Sequence, residues 1–283
     1  MRKQWKEAGL GMLTFLLLAL GVAGTQPVFR KYLPPYAGPL TITVTALMVY
    51  VASARLLERR RVSELDPRYA PAELGIGLLT GFALFSAVMA ILWAMAIYHI
   101  VGFGNPAGIG EAVALAILSG TLEELLFRGI LFRISSRLVG TWGALLFTSA
   151  FFGLAHLANK GATFSSGVAI MLEAGMLLGA AYALTQRLWL PIGLHIAWNF
   201  TESSVYGMQV SGNSIGNSFI RGSLSGPPLL TGGAFGPEAS ISAVAVCFAL
   251  AMCLLWRTVK LGRIEAPAWK HRNVEPQAVA VCS

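Results

Sequence analysis

Residues 74–98 read LGIGLLTGFALFSAVMAILWAMAIY, a run without a single Asp, Glu, Lys or Arg. About 20 consecutive apolar residues suffice for an α-helix to cross a hydrocarbon core of roughly 30 Å. In lipid such a segment must satisfy its own backbone hydrogen bonds, which a helix does internally. The same absence of charge recurs over 8–29, 32–54, 138–158, 174–186 and 239–256. Across the chain 55% of residues are hydrophobic and only 12% are charged, about half the charge of an average soluble domain. That composition excludes a soluble globular protein and a disordered chain alike. The fold class it predicts is an all-α polytopic membrane protein.

Eight spans are expected near 8–26, 38–57, 74–98, 110–130, 141–158, 167–186, 189–206 and 239–257. With the N-terminus inside, 17 of the 21 basic residues fall in cytoplasmic segments. Only Arg30, Lys31, Lys160 and Arg221 are left for the outer side. The positive-inside rule therefore predicts both termini in the cytoplasm. The same distribution explains the net charge of +8 without nucleic acid, since no basic patch with interleaved aromatics occurs. A basic start, the apolar 10–20 run and the small residues Val22, Ala23 and Gly24 also resemble a signal peptide, but a retained first span is the expectation. Of the three cysteines, Cys247 and Cys253 lie in an apolar run and Cys282 is next to last, so no disulfide framework or metal spacing arises. The chain reads as one membrane-embedded domain, 1–283. It divides into first helices at 8–98, a core at about 108–206, an outer loop at 203–238 rich in Gly, Ser, Asn and Pro, a last helix at 239–257 and a cytoplasmic tail at 258–283.

Ionisable groups inside the spans are costly, about 2.5–3.5 kcal/mol each on insertion scales. The fourth span holds Glu123, Glu124 and Arg128, the fifth ends at His156, the sixth contains Glu173, and the seventh contains His195, Asn199 and Glu202. Glu124 and Arg128 are four apart and share a helical face, so they can pair. Glu123 is rotated by roughly 100° from Glu124 and is left without that partner, which suits a carboxylate to general-base work. Phe152 and His156 are four apart, as are His195 and Asn199, and two donors on one face can hold a developing oxyanion. Each of these has a bland alternative. Glu124 with Arg128 serves as a structural lock, while His156, His195 and Asn199 serve as helix-to-helix hydrogen-bond partners. Glu173 and Glu202 read as groups near a membrane face in solvated or structural roles, and Glu111 as a charge at the start of the fourth helix. There is no HExxH motif, no pair of embedded aspartates and no GxSG.

Glu123-Glu124-Leu-Leu-Phe-Arg128 resembles the EExxxR motif of the intramembrane glutamic endopeptidases related to the CAAX-prenyl proteases. Phe152-Gly-Leu-Ala-His156 is similar to their FxxxH motif and His195-Ile-Ala-Trp-Asn199 to their HxxxN motif, in the same order on successive helices. The detailed resemblance covers about 121–201, with looser similarity to 240. It implies about eight transmembrane helices enclosing an intramembrane active-site cavity, in which Glu123 and His156 activate water. His195 and Asn199 would stabilise the oxyanion, and Glu124, Arg128 and Phe152 would support the site. It implies no cofactor and no metal. The expected partners are the lipid bilayer and a membrane-anchored peptide or protein tail, with room for a partner membrane protein and none for nucleic acid. The excess of Arg over Lys leans toward a bacterial cytoplasmic membrane.

Two other readings remain open at this stage. A catalytically silent scaffold for a partner enzyme is disfavoured by the intact motif residues, and a proton- or ion-coupled transporter by the lack of paired halves. One tension also stands. Counted at ~1.5 Å per residue, His195 lies near the inner end of its span and His156 near the outer end of its own, yet both are expected at Glu123.

Overall fold

A computed structural model describes residues 2–214 and 218–270. Among these the chain is helical, in the order α1 (Arg2–Tyr32), α2 (Ala37–Leu56), α3 (Ala70–Ala94), α4 (Ile109–Glu124), α5 (Arg133–Ala155), α6 (Phe164–Ile170), α7 (Met176–Thr185), α8 (Trp189–Phe200), α9 (Pro228–Thr231) and α10 (Ile241–Lys260). Three π-helical stretches continue this ladder: Leu125–Phe132 joins α4 to α5, Met171–Gly175 joins α6 to α7, and Thr201–Val205 extends α8. Cys282, His271 and the rest of the tail beyond 270 lie outside the described residues.

By length and composition five helices can cross a membrane: Ala37–Leu56, Ala70–Ala94, Ile109–Ala158, Phe164–Thr185 and Ile241–Lys260, with a shorter apolar helix at Gly9–Val22. The third of these is two limbs. Gly140 adopts φ 75° and ψ 171° inside α5, a conformation open essentially only to glycine, and the chain reverses there. The two limbs, the four other long helices and the shorter apolar helix lie where seven of the eight spans were expected, and α8 lies where the remaining one was expected. Large apolar side chains such as Leu79, Phe82, Trp93, Leu146 and Leu154 point outward, as lipid-facing surfaces require.

Small residues set the position of α8. A Cβ built on Gly77 would meet the Leu190 carbonyl oxygen at 2.5 Å, and one on Gly81 the Leu194 carbonyl oxygen at 2.3 Å. Glycines four apart thus let α3 and α8 touch backbone to backbone, the small-xxx-small packing of membrane helices. The start of α8 is pinned as well. The indole of Trp189 donates to the Asp66 carbonyl at 2.9 Å, and the Leu188 amide to the Glu64 carbonyl at 2.9 Å. Arg187 pairs with Glu73 and stacks over Tyr69.

Two features depart from the sequence reading. The third span ends at Ala94, not 98, because Ala96 takes a positive φ of 56° and stops the helix. The chain then forms β1 (Tyr98–Phe103), which pairs antiparallel with β2 (Ile220–Leu224) from Tyr98 opposite Leu224 to Phe103 opposite Ile220. The outer loop therefore carries a strand and the short α9. The beginning of the tail is also docked, since Glu265 exchanges bonds with Thr141 and the Ala268 amide donates to the Leu138 carbonyl.

Candidate active site

The reversal at Gly140 brings Glu123 and His156 to one height. The helix carrying Glu123 runs on past 130 to the bend, so Glu123 and His156 stand about 17 and 16 residues from Gly140 on its two limbs. At helical rise both are roughly 25 Å from it, hence level. The fourth span had been expected to end too early, and the depth of Glu123 was misjudged with it. In the structure Glu123 Oε2 lies 4.0 Å from His156 Nε2 and 3.9 Å from His195 Nε2. Both gaps exceed a hydrogen bond, and this buried oxygen has no hydrogen-bond partner among the described residues.

Each imidazole is held by its other nitrogen. His156 Nδ1 is 2.8 Å from the Phe152 carbonyl oxygen, one turn back, and its ring packs on Phe152 with centroids 4.6 Å apart. His195 Nδ1 is 3.0 Å from Glu124 Oε1. A carbonyl and a carboxylate can only accept, so each ring carries a proton on Nδ1 toward these partners and turns Nε2 to Glu123. Glu124 also accepts from Arg128 Nη1 at 2.7 Å, and both side chains are completely enclosed. The spacing of four predicts that pair. It does not reveal the bond to His195, which comes from a helix about 70 residues away.

Arg128 does more than neutralise Glu124. Its Nη2 donates to the Ala174 and Gly175 carbonyls at 3.2 and 3.1 Å, and its guanidinium lies 4.8 Å above the Phe152 ring. Those carbonyls belong to the π-stretch before α7, where the widened turn leaves backbone acceptors for another helix to use. Asn199 donates through Nδ2 to Ser119 Oγ at 3.0 Å, which orients the amide next to His195.

A cavity of about 20 Å³ lies beside the imidazoles, room for about one water molecule. His156, His195 and Asn199 line it together with Phe152, Trp198 and several aliphatic groups. Two further lining residues are Glu173 and Glu238. A solvated role for Glu173 and Glu202 does not hold: they are 2% and 0% exposed, and Glu202 lies against Glu238. Glu238 sits in the loop before α10, where burial pushes its carboxyl above the usual range while Glu202, Ser211 and His156 pull it back. No motif spacing brings Glu238 to this place, because it lies nearly 40 residues beyond Asn199. No group of three or more His, Cys, Asp or Glu among the described residues is arranged to hold a metal ion.

Residues 105–201 match the family model described as Rce1-like, type II CAAX prenyl endopeptidase. The chain is also 28% identical over 202 residues to the protein named "Putative membrane peptidase YdiL" of Bacillus subtilis (strain 168), a match taking in 65% of this chain and 78% of that one. No solved structure gives a significant match. The matched segment holds Glu123, His156, His195 and Asn199, and it stops short of Glu202 and Glu238. Helices built for lipid around this segment make the chain a polytopic membrane protein, and its core segment 105–201 is similar to the Rce1-like CAAX proteases, a family of membrane proteases.

Proposed function

We propose that the chain is an intramembrane endopeptidase of glutamic type, hydrolysing a peptide bond in a membrane-tethered peptide or protein tail, with 1–283 working as one unit. The observation that carries this reading is the convergence of one unpartnered carboxylate oxygen and two imidazole Nε2 atoms within 4.0 Å. Glu123 takes a proton from water held between it and His156, and the hydroxide oxygen attacks the scissile carbonyl carbon. The carbonyl π-electrons move to oxygen. His195, protonated on both nitrogens with Glu124 behind it, and the Asn199 amide donate to that oxyanion. Glu123 then gives its proton to the departing amine as the C–N bond breaks, and the electron pair on oxygen re-forms the carbonyl.

Glu124, Arg128 and Phe152 act through others in this scheme. Glu124 fixes the tautomer and direction of His195, as a second carboxylate does for many catalytic imidazoles. Arg128 ties Glu124 to the chain before α7, and Phe152 supports both His156 and the guanidinium. The membrane location and the pairing with a membrane-associated substrate follow the family. A bacterial cytoplasmic membrane with both termini inside is the orientation we propose from the basic residues.

The test is cleavage of membrane-tethered peptides by the detergent-purified chain, wild type beside Glu123→Gln, with and without chelator. Chelator-resistant cleavage that falls at least about 100-fold in the variant is the expected result. Cleavage abolished by chelator would overturn the glutamic assignment. Wild-type activity retained by the variant would remove Glu123 from the base role.

A further inference from the structure

The reaction proposed above leaves three carboxylates at its edge without a task. Glu173 comes from the π-stretch before α7, Glu202 from the one after α8, and Glu238 from the loop before α10. Their exposures are 2%, 0% and 3%. Glu202 and Glu238 lie against each other, and Ser211 Oγ donates to Glu238 Oε1 at 2.7 Å. Glu173 Oε1 receives the weak thiol of Cys247 at 3.7 Å, and the Ala174 backbone also reaches this carboxylate. Its Oε2 is buried with no hydrogen bond among the described residues, while Glu202 is held against Glu238. Arg128 donates to Glu124 and to two carbonyls and makes no hydrogen bond to this triad.

An unpartnered carboxylate oxygen such as Glu173 Oε2 is expensive at this depth, and a purely structural role would pair it. Instead Glu173 and Glu238 face the same cavity as His156, His195 and Asn199. That cavity admits a group about the size of water. A primary ammonium has that size, a full positive charge and three donors on one nitrogen, whereas a guanidinium is a broad planar fork. The carboxylates are not arranged to ligate a metal ion.

We propose that Glu173, Glu202 and Glu238 form a subsite for a primary ammonium group of the substrate, seated in the cleft next to the imidazoles. The assignment rests on the peptidase reading and gives it a substrate class: a peptide with either a lysine or a free amino terminus near the cleaved bond. The three ammonium protons go to Glu173 Oε2, to the Glu202–Glu238 pair and to Ser211, and the arriving charge compensates the triad. A neutral side chain of equal length leaves it uncompensated, so selection is expected in kcat/KM.

The test uses the detergent-purified full chain and a peptide series on one cleaved sequence. N-acetylated members carry lysine, arginine or norleucine at positions flanking the bond, and one norleucine member keeps its amino terminus free. At one position wild type should prefer lysine to norleucine by about tenfold or more, with arginine behind lysine, and Glu173→Gln or Glu238→Gln should reduce the ratio below about threefold. If the amino terminus is the source, the free-amine norleucine peptide shows that preference over its acetylated twin. A ratio near one throughout overturns the proposal, as does an unchanged preference in both variants. A second measurement needs no cleavage: methylammonium chloride should raise the thermal midpoint of wild type above that in potassium chloride at equal ionic strength, and both variants should lose the difference. Equal effects of the two salts on wild type overturn the subsite. If no peptide is cleaved, the peptidase reading fails and the methylammonium comparison alone decides the ammonium site.

Discussion

Glu123 and Glu124 are neighbours with the same side chain, and everything that separates them is in their surroundings. Glu124 is fully enclosed and shared between Arg128 and His195, so removing it strands a buried guanidinium. Glu124→Ala is expected to cost about 3–5 kcal/mol of stability, read as a large fall in thermal midpoint in detergent. Glu123 has no such partner, and Glu123→Gln is expected to leave that midpoint within about 0.5 kcal/mol of wild type while abolishing cleavage. Helical spacing alone distinguishes the two glutamates, because the arginine that neutralises one is on the same helix. It is silent on Glu173, Glu202 and Glu238, whose proximity depends on three separate chain segments. Glu238 also carries a pH signature. Its carboxyl is raised by burial first of all, with Glu202, Glu173, His156 and Ser211 facing it. A raised carboxyl contributes stability that is fully present below the unfolded value of about 4.5 and is lost as pH rises through the folded value. The midpoint of Glu238→Gln relative to wild type is therefore expected to improve as pH climbs above 4.5, and a constant offset across pH would contradict it.

Among the elements, the bend at Gly140 does most to bring the motifs level. Hydropathy shows two apolar runs and places their ends by charge, so Arg128, Arg133 and Arg137 suggest an early end to the fourth span. The structure buries Arg128 and Arg133 against carboxylates and carbonyls instead, and the helix continues to the glycine. That is why the helices were legible in the sequence and their registration was not. The ribbon was hidden for a related reason: Tyr98–Phe103 is as apolar as the helix before it, and only the positive φ at Ala96 separates them. Gly140→Ala would place a Cβ 2.9 Å from the Glu265 carbonyl oxygen in a conformation alanine resists. The expected cost is about 1–3 kcal/mol, with loss of cleavage exceeding the loss of folded protein, because the relative height of Glu123 and His156 depends on that turn. Gly81→Leu attacks the other positioning contact, between α3 and α8. With backbone 2.3 Å from its Cβ, the change is expected to cost roughly 3 kcal/mol or more and to lower the yield of monodisperse protein.

At the scale of the whole molecule, the charge pattern makes a statement about sidedness that the packing supports. The segment joining α2 to α3 ties into the end of the bundle that holds Gly140. Arg133 reaches Glu58 at 2.8 Å, and Tyr50 bonds both Glu64 and the Gly129 carbonyl. The beginning of the tail docks at that end too, through Glu265 and Thr141. Arg55, Arg59, Arg60, Arg61, Arg133, Arg137, Arg257 and Lys260 are thus gathered toward one end, while the ribbon and the 203–238 loop occupy the other, near His156 and Asn199. A membrane that retains basic segments on its cytoplasmic side would hold the Gly140 end inside and expose the ribbon outside. Cysteines at Arg59 and Ser223, both exposed, test this in a background with Cys253 and Cys282 changed to serine. An impermeant maleimide added to intact cells should label Ser223→Cys and spare Arg59→Cys until the membrane is broken. The reverse pattern would invert the molecule, bring the cleft toward the cytoplasm and change the side from which a substrate tail must approach Glu123.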